Sequence, residues 1–72
     1  MIEKQVGNRI KELRNNLGIS QEELGFRSGV HRTYIASLEV GKRNISIVTL
    51  EKIVNALGIS LSEFFVFTEE KK

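Results

Sequence analysis

Arg32, Thr33, Tyr34, Ala36 and Ser37 fall within six consecutive residues, and Lys42, Arg43 and Asn44 follow shortly after. These side chains offer hydrogen-bond donors, hydrogen-bond acceptors and positive charge. They set no nucleophile against a base, so the chemistry on offer is recognition rather than catalysis. A guanidinium such as that of Arg32 can grip guanine O6 and N7 together, worth about 1–3 kcal/mol of discrimination between bases. It can equally neutralise a phosphate, and both roles stay open. The hydroxyls of Thr33 and Ser37 can bond either base type. Ala36 is short enough to let a helix approach closely and to touch a thymine methyl. Tyr34 suits packing on sugar and phosphate as well as bonding to a base. Lys42 reads as a plain phosphate neutraliser, and Arg43 and Asn44 as contacts to a phosphate or to a base at the edge of the site.

Other chemistries lack their residues. His31 is the only histidine and there is no cysteine, so neither a zinc site nor a thiol nucleophile can be assembled, and no cofactor is expected. Glu22 and Glu23 are adjacent at the start of a helix and read as complements to its dipole rather than as an acid–base pair. The chain is therefore not expected to be an enzyme. Eleven basic against nine acidic residues leave a net charge of +2, a weak pointer to an anionic partner. Position says more: Glu69, Glu70, Lys71 and Lys72 cancel in the tail, whereas Arg32, Lys42 and Arg43 cluster against Glu39 alone. No apolar run approaches the ~20 residues that span a bilayer, Met1 reads as a native start with no signal peptide behind it, and a cytoplasmic location is expected.

The elements that must position these residues are helices. The 72 residues contain no proline, and their β-branched residues do not alternate. Val6, Ile10, Leu13 and Leu17 form one apolar stripe, closed by Gly18 in a left-handed cap. Ser20 opens the second helix, with Glu23 placed to complete a capping box and Ile19 and Leu24 to form a hydrophobic staple. That helix runs from about Gln21 to Ser28 and stops at Gly29. A third runs from about Arg32 to Val40, with His31 near its cap. Ser46 caps a fourth that carries Leu50, Ile53, Val54 and Leu57. The segment Leu17-Gly18-Ile19-Ser20 recurs as Leu57-Gly58-Ile59-Ser60, a stop-and-restart device that predicts a fifth helix from Leu61 to about Phe67. The expected fold is all-α: one five-helix domain over residues 1–68 and a charged tail over 69–72.

Within this frame, Gln21 to Leu38 carries the most information. Two helices crossing steeply through a tight turn need a small residue at their contact, Gly25, and a left-handed residue in the turn, Gly29. A glycine inside a helix costs about 1 kcal/mol against alanine, so Gly25 asks for a packing reason. Val30, Ile35 and Leu38 are spaced to pin the third helix to the core. Rotating about 100° per residue then turns Thr33 directly outward, puts Ala36 and Ser37 on the outer face, and sets Arg32 and Tyr34 on its flanks. The result is a narrow polar face of the kind that enters a major groove. Gln21, first in its helix, suits a phosphate, and His31 reads as a cap residue that can also approach the DNA backbone.

Ser20–Ser46 (SQEELGFRSGVHRTYIASLEVGKRNIS) and Thr49–Phe65 (TLEKIVNALGISLSEFF) together resemble the lambda-repressor-like, Xre-type helix-turn-helix regulators. Within them the chain is most similar to the controller proteins of type II restriction-modification systems. The resemblance implies a symmetric homodimer on paired half-sites of double-stranded DNA upstream of its own gene, activating at one site and repressing at another. It implies Gln21 on phosphate, with Arg32, Thr33 and Tyr34 in the groove and Arg43 and Asn44 beside it. It also implies an ion pair between Arg14 and Glu39 that ties the first helix to the third. Gly25 stands where members of the family usually carry alanine.

A dimer also has a physical ground. Phe64, Phe65, Val66 and Phe67 are four consecutive apolar residues, spread over about 300° of a helix, and cannot all face one small core. Phe64 is expected inside. Phe65 or Phe67 is left over, and with Val48 offers a partner surface. Glu22 and Glu23 are candidates for a contact with RNA polymerase. Two other readings stand beside the controller: a phage-type repressor or other small autoregulator, and an antitoxin-like module whose main partner is a protein.

Overall fold

The computed structural model describes residues 1–66. It consists of five helices in sequence: α1 (Ile2–Leu17), α2 (Gln21–Ser28), α3 (Arg32–Glu39), α4 (Ile47–Leu57) and α5 (Leu61–Phe64). Among the described residues there is no strand, and no helix is long and apolar enough to cross a membrane. The expectations for Phe67 and for the tail at 69–72 lie outside the described residues.

Capping sets the boundaries. Ser20, Ser46 and Ser60 each accept the backbone N–H three residues on, and Gly18, Gly29 and Gly58 each close a helix in the left-handed region, with φ of 70°, 73° and 79°. Two details differ from expectation. At Ser60 the capping box is complete, because Glu63 returns a carboxylate to the Ser60 N–H at 2.9 Å. At Ser20 the reciprocal half is absent: the Glu23 carboxylate accepts from Arg27 Nε at 2.8 Å instead. An arginine one turn ahead outcompetes a backbone N–H that water can serve. The third helix ends at Glu39 rather than Val40, which is its C-cap and is exposed.

The core is built from Val6 and Ile10 of α1, Leu24 of α2, Ile35 and Leu38 of α3, four residues of α4 and Phe64 of α5. Leu13 is half-buried against this core, whereas Leu17 is exposed, so the apolar stripe of α1 outlasts the surface it packs on. Phe65 is not left over: it is half-buried and meets the fully buried Phe64 edge-on, ring centres 5.1 Å apart. A T-shaped aromatic pair of this kind gains from the ring quadrupoles beyond the area it buries.

Two close approaches hold the layers together. A Cβ at Gly25 would lie 2.6 Å from the Val30 carbonyl oxygen, so the glycine lets α2 and the turn that follows it come together more tightly than an alanine would. A Cβ at Gly7 would collide with the Leu38 carbonyl oxygen. Both obstacles are backbone and cannot swing aside. Gly7→Ala must lever α1 off α3, and a loss near the top of the usual overpacking range, about 1–3 kcal/mol, is expected in urea unfolding. An unchanged midpoint would show that the two helices can separate without cost.

Arg9 supplies a further tie. Its Nε donates to the Phe64 carbonyl and its second terminal nitrogen to the Glu63 carbonyl, both at 2.9 Å. One guanidinium from α1 thus serves two carbonyls at the end of the one-turn helix α5. Nothing in the sequence pattern singles out Arg9, because its partners lie more than 50 residues away.

Candidate nucleic-acid interface

The candidate site is the outer face of α3 with the loop that follows it. His31 caps α3: its Nδ1 accepts the Thr33 N–H at 3.2 Å and lies 2.8 Å from Thr33 Oγ1. The ring is thereby fixed as a cap while remaining exposed. Arg32 and Thr33 are exposed at the N-terminal end of the helix, as the rotation argument requires. Ala36 and Ser37 are half-buried. Ser37 Oγ donates to the Thr33 carbonyl at 2.8 Å, which leaves its lone pairs as acceptors.

Tyr34 is placed differently. It is half-buried against the core, its hydroxyl donates to the Asn44 carbonyl at 3.3 Å, and the Arg43 guanidinium stacks over its ring at 5.1 Å from the centre. A cation over a partly exposed aromatic ring gains on the order of 0.5–1 kcal/mol. Tyr34 thus pins the loop after α3 to the helix and holds Arg43 beside the outer face. Ser37, Lys42, Arg43 and Asn44 line one shallow open concavity at the C-terminal end of that face. The structure therefore brings the loop residues and the α3 residues together on one surface, although they are read separately in the sequence.

Behind the face lies the ion pair. Arg14 Nε donates to Glu39 Oε2 at 2.7 Å and Nη2 to Oε1 at 3.0 Å, with side-chain exposures of only 11% and 3%. Arg14 Nη1 also donates to the Ile19 carbonyl at 2.9 Å. The Arg14 guanidinium is raised above its ordinary pKa. The hydrogen-bonded Glu39 carboxylate raises it most, burial pulls it back, and the charge of Glu39 adds to the rise. Since a raised pKa gives stability that is lost only as pH climbs through the guanidinium's own titration, this contribution is complete at neutral pH. Burial of Glu39 also changes the local charge balance. Glu39, the carboxylate that lies between Arg32 and Lys42 in sequence, is committed to Arg14, while Arg32, Lys42 and Arg43 are each exposed.

Gln21 departs from expectation in one respect. Its amide nitrogen turns inward and donates to Glu39 Oε1 at 3.0 Å, and the side chain is half-buried. The sequence shows no sign of this contact, which depends on the crossing of α2 over α3.

The arrangement is that of a helix-turn-helix unit: α2, a left-handed glycine turn and α3, buttressed by α1 and α4. A helix-turn-helix family model matches residues 10–64, and the chain belongs to that family. It is 45% identical to control protein C.MunI from a Mycoplasma species over 71 residues, covering 97% of this chain and 96% of that one. The crystal structure of the restriction-modification controller protein C.AhdI from Aeromonas hydrophila superposes with a TM-score of 0.84 at 43% identity, covering 88% of this chain and 91% of that one. The C.Esp1396I controller tetramer, solved in complex with its natural 35-base-pair operator, superposes with a TM-score of 0.90 at 34% identity. That match covers 97% of this chain and 92% of that one.

Proposed function

We propose that this chain is a transcriptional regulator that binds double-stranded DNA sequence-specifically, as the controller of a type II restriction-modification system. It acts as a homodimer on a two-fold operator upstream of its own gene. The observation that carries this reading is the outer face of α3, with Arg32 and Thr33 exposed and the half-buried Ser37 lining one concavity with Lys42, Arg43 and Asn44, backed by a buried ion pair. Similarity to control proteins over nearly the whole chain supports it. The regulator is a binding protein and not an enzyme, and works in the cytoplasm where its DNA lies. Residues 1–68 serve as its DNA-binding and dimerisation domain.

In this reading Arg32 reads guanine, Thr33, Ala36 and Ser37 face the groove, and Lys42 neutralises phosphate. Tyr34 acts by holding Arg43 and Asn44 at the groove edge. The dimer forms through exposed apolar residues: Val48 at 60% exposure, with Ile47 at 71% and Val66 at 38% beside it in the sequence of α4 and just after α5. Two-fold pairing would set the α3 helices about 34–36 Å apart, one turn of DNA. Glu22, exposed on α2, is available to RNA polymerase, while Glu23 is engaged by Arg27.

The deciding experiment is a fluorescence titration of the chain with the DNA upstream of its gene and with a scrambled duplex, at about 150 mM salt. Binding at least about 10³-fold tighter to the upstream DNA is expected. Arg32→Ala should then lose about 1–3 kcal/mol of the preference while binding the scrambled duplex almost as before. Equal, weak binding to both duplexes by the parent chain overturns the reading.

A further inference from the structure

We propose that His31 is a positioning residue for sequence selection: by taking the hydroxyl proton of Thr33, it leaves Thr33 a pure acceptor that selects an exocyclic amino group, adenine N6 or cytosine N4. This deepens, and rests on, the reading of the chain as a sequence-specific DNA-binding protein. A threonine hydroxyl taken alone can donate or accept, and so can bond either base type. Here a neighbour settles its direction. The Thr33 backbone N–H donates to His31 Nδ1 at 3.2 Å. A ring nitrogen that accepts this N–H carries no hydrogen of its own, so the neutral ring holds its proton on Nε2. Thr33 Oγ1 lies 2.8 Å from the same Nδ1. Of these two atoms only the hydroxyl has a hydrogen to give, so Oγ1 donates and Nδ1 accepts from both groups.

What remains on the exposed Thr33 oxygen is lone pairs and no proton. Ser37, one turn further on, is in the same state, since its hydroxyl donates to the Thr33 carbonyl at 2.8 Å. The base edges in the major groove then sort themselves. Adenine N6 and cytosine N4 are donors, whereas guanine O6 and N7 and thymine O4 are acceptors. Lone pairs on Thr33 attract the first two and repel the others. A division of labour follows on α3: Arg32 only donates and suits acceptor edges, and Thr33 suits amino edges. Because the hydroxyl is already held, little of its ordering is left to be done when DNA arrives.

The test uses the full chain at about pH 8, where an imidazole ordinarily carries no charge. Adenines and cytosines of the bound upstream duplex are replaced one at a time by purine and 2-pyrimidinone, which lack the amino group. Guanines are replaced by 7-deazaguanine, which lacks the N7 acceptor. Affinities are measured for the parent and for Thr33→Val, which keeps the shape and loses the hydroxyl. Weakened base pairing affects both proteins alike and cancels in the comparison. At one position in each half-site, loss of the amino group should weaken the parent at least about fivefold more than Thr33→Val. No such position, or coupling of Thr33 to guanine N7 instead, overturns the proposal.

His31→Ala, shown by circular dichroism to be folded, tests the role of the ring. Its freed hydroxyl can donate, so the preference for adenine or cytosine over thymine or guanine should shrink severalfold at that position and at no other. A histidine that only caps α3 would weaken every duplex alike when removed and leave the base preference as it was, which also overturns the proposal. If His31→Ala does not fold, nitrogen-15 resonance of the parent ring decides. Nδ1 should show the shift of an unprotonated nitrogen, and a proton found on Nδ1 overturns the proposal. A parent chain that binds upstream and scrambled duplexes equally removes the DNA reading and this proposal together. A parent that discriminates between them while the Thr33 comparison fails removes only the role of His31 and Thr33.

Discussion

Arg14→Ala is expected to cost the fold about 3–5 kcal/mol, because it leaves a carboxylate buried without its cation. A domain of this length has only about 4–11 kcal/mol of stability in total. The variant should therefore be partly unfolded near physiological temperature, with a Tm more than about 12 °C below the parent at equal protomer concentration. The size of the effect follows from geometry. Glu39 has 3% of its side chain exposed, and Gln21 would be its one remaining donor partner of the two that the structure records. Arg14 also anchors the chain reversal between α1 and α2 through the Ile19 carbonyl, which would lose that donor. Replacing both partners by apolar residues of similar size, Arg14→Met with Glu39→Leu, should recover much of the loss. A loss below about 1 kcal/mol in Arg14→Ala would mean that water reaches Glu39 freely and that the pair is not a buried one.

The helix boundaries were legible because their signals are local. A serine that caps, a glycine that turns left-handed and an apolar stripe between them all lie within one helix and its flanks. The outward turn of Arg32 and Thr33 was legible for the same reason, given Ile35 and Leu38 as the inward reference. What stayed hidden depends on residues far apart in the chain. Gly7 reads only as a poor helix former until Leu38 arrives against it. Arg9 has no periodic role, yet it secures the last carbonyls of α5. Tyr34 is placed on the flank of the polar face by the spacing, but that its ring and hydroxyl also meet Arg43 and Asn44 shows only in the structure. Gln21 likewise looks free at the start of its helix until Glu39 comes within reach. Even the local rules compete: the same Ser-x-x-Glu pattern closes a box at Ser60 and not at Ser20, because only Glu23 has an arginine four residues ahead.

The dependence of binding on salt should follow from the number of cations on the face. Arg32, Lys42 and Arg43 are exposed there in each protomer, which gives a dimer six. Each phosphate neutralised contributes about −0.9 to the slope of log affinity against log salt, so six give a slope of about −5.4. Affinity would then fall about 2,000-fold between 50 and 200 mM salt. If Arg32 reads guanine, four cations remain for phosphates, the slope drops to about −3.6, and the fall is about 150-fold. Contacts from uncharged donors release no counterion and leave the slope alone. Three variants separate the contributions on the upstream duplex. Lys42→Ala should flatten the slope by about 1.8 and weaken all duplexes alike. Arg32→Ala should leave the slope near the parent value while cutting the preference by about 1–3 kcal/mol, if it contacts a base. Tyr34→Ala should release Arg43 from its ring and weaken binding without changing the count of cations. A slope near zero for the parent would sink the DNA reading. A steep slope that Arg32→Ala flattens as much as Lys42→Ala does would move Arg32 from the base edge to the backbone, and leave Thr33, Ala36, Ser37 and the groove-edge pair to carry the sequence preference.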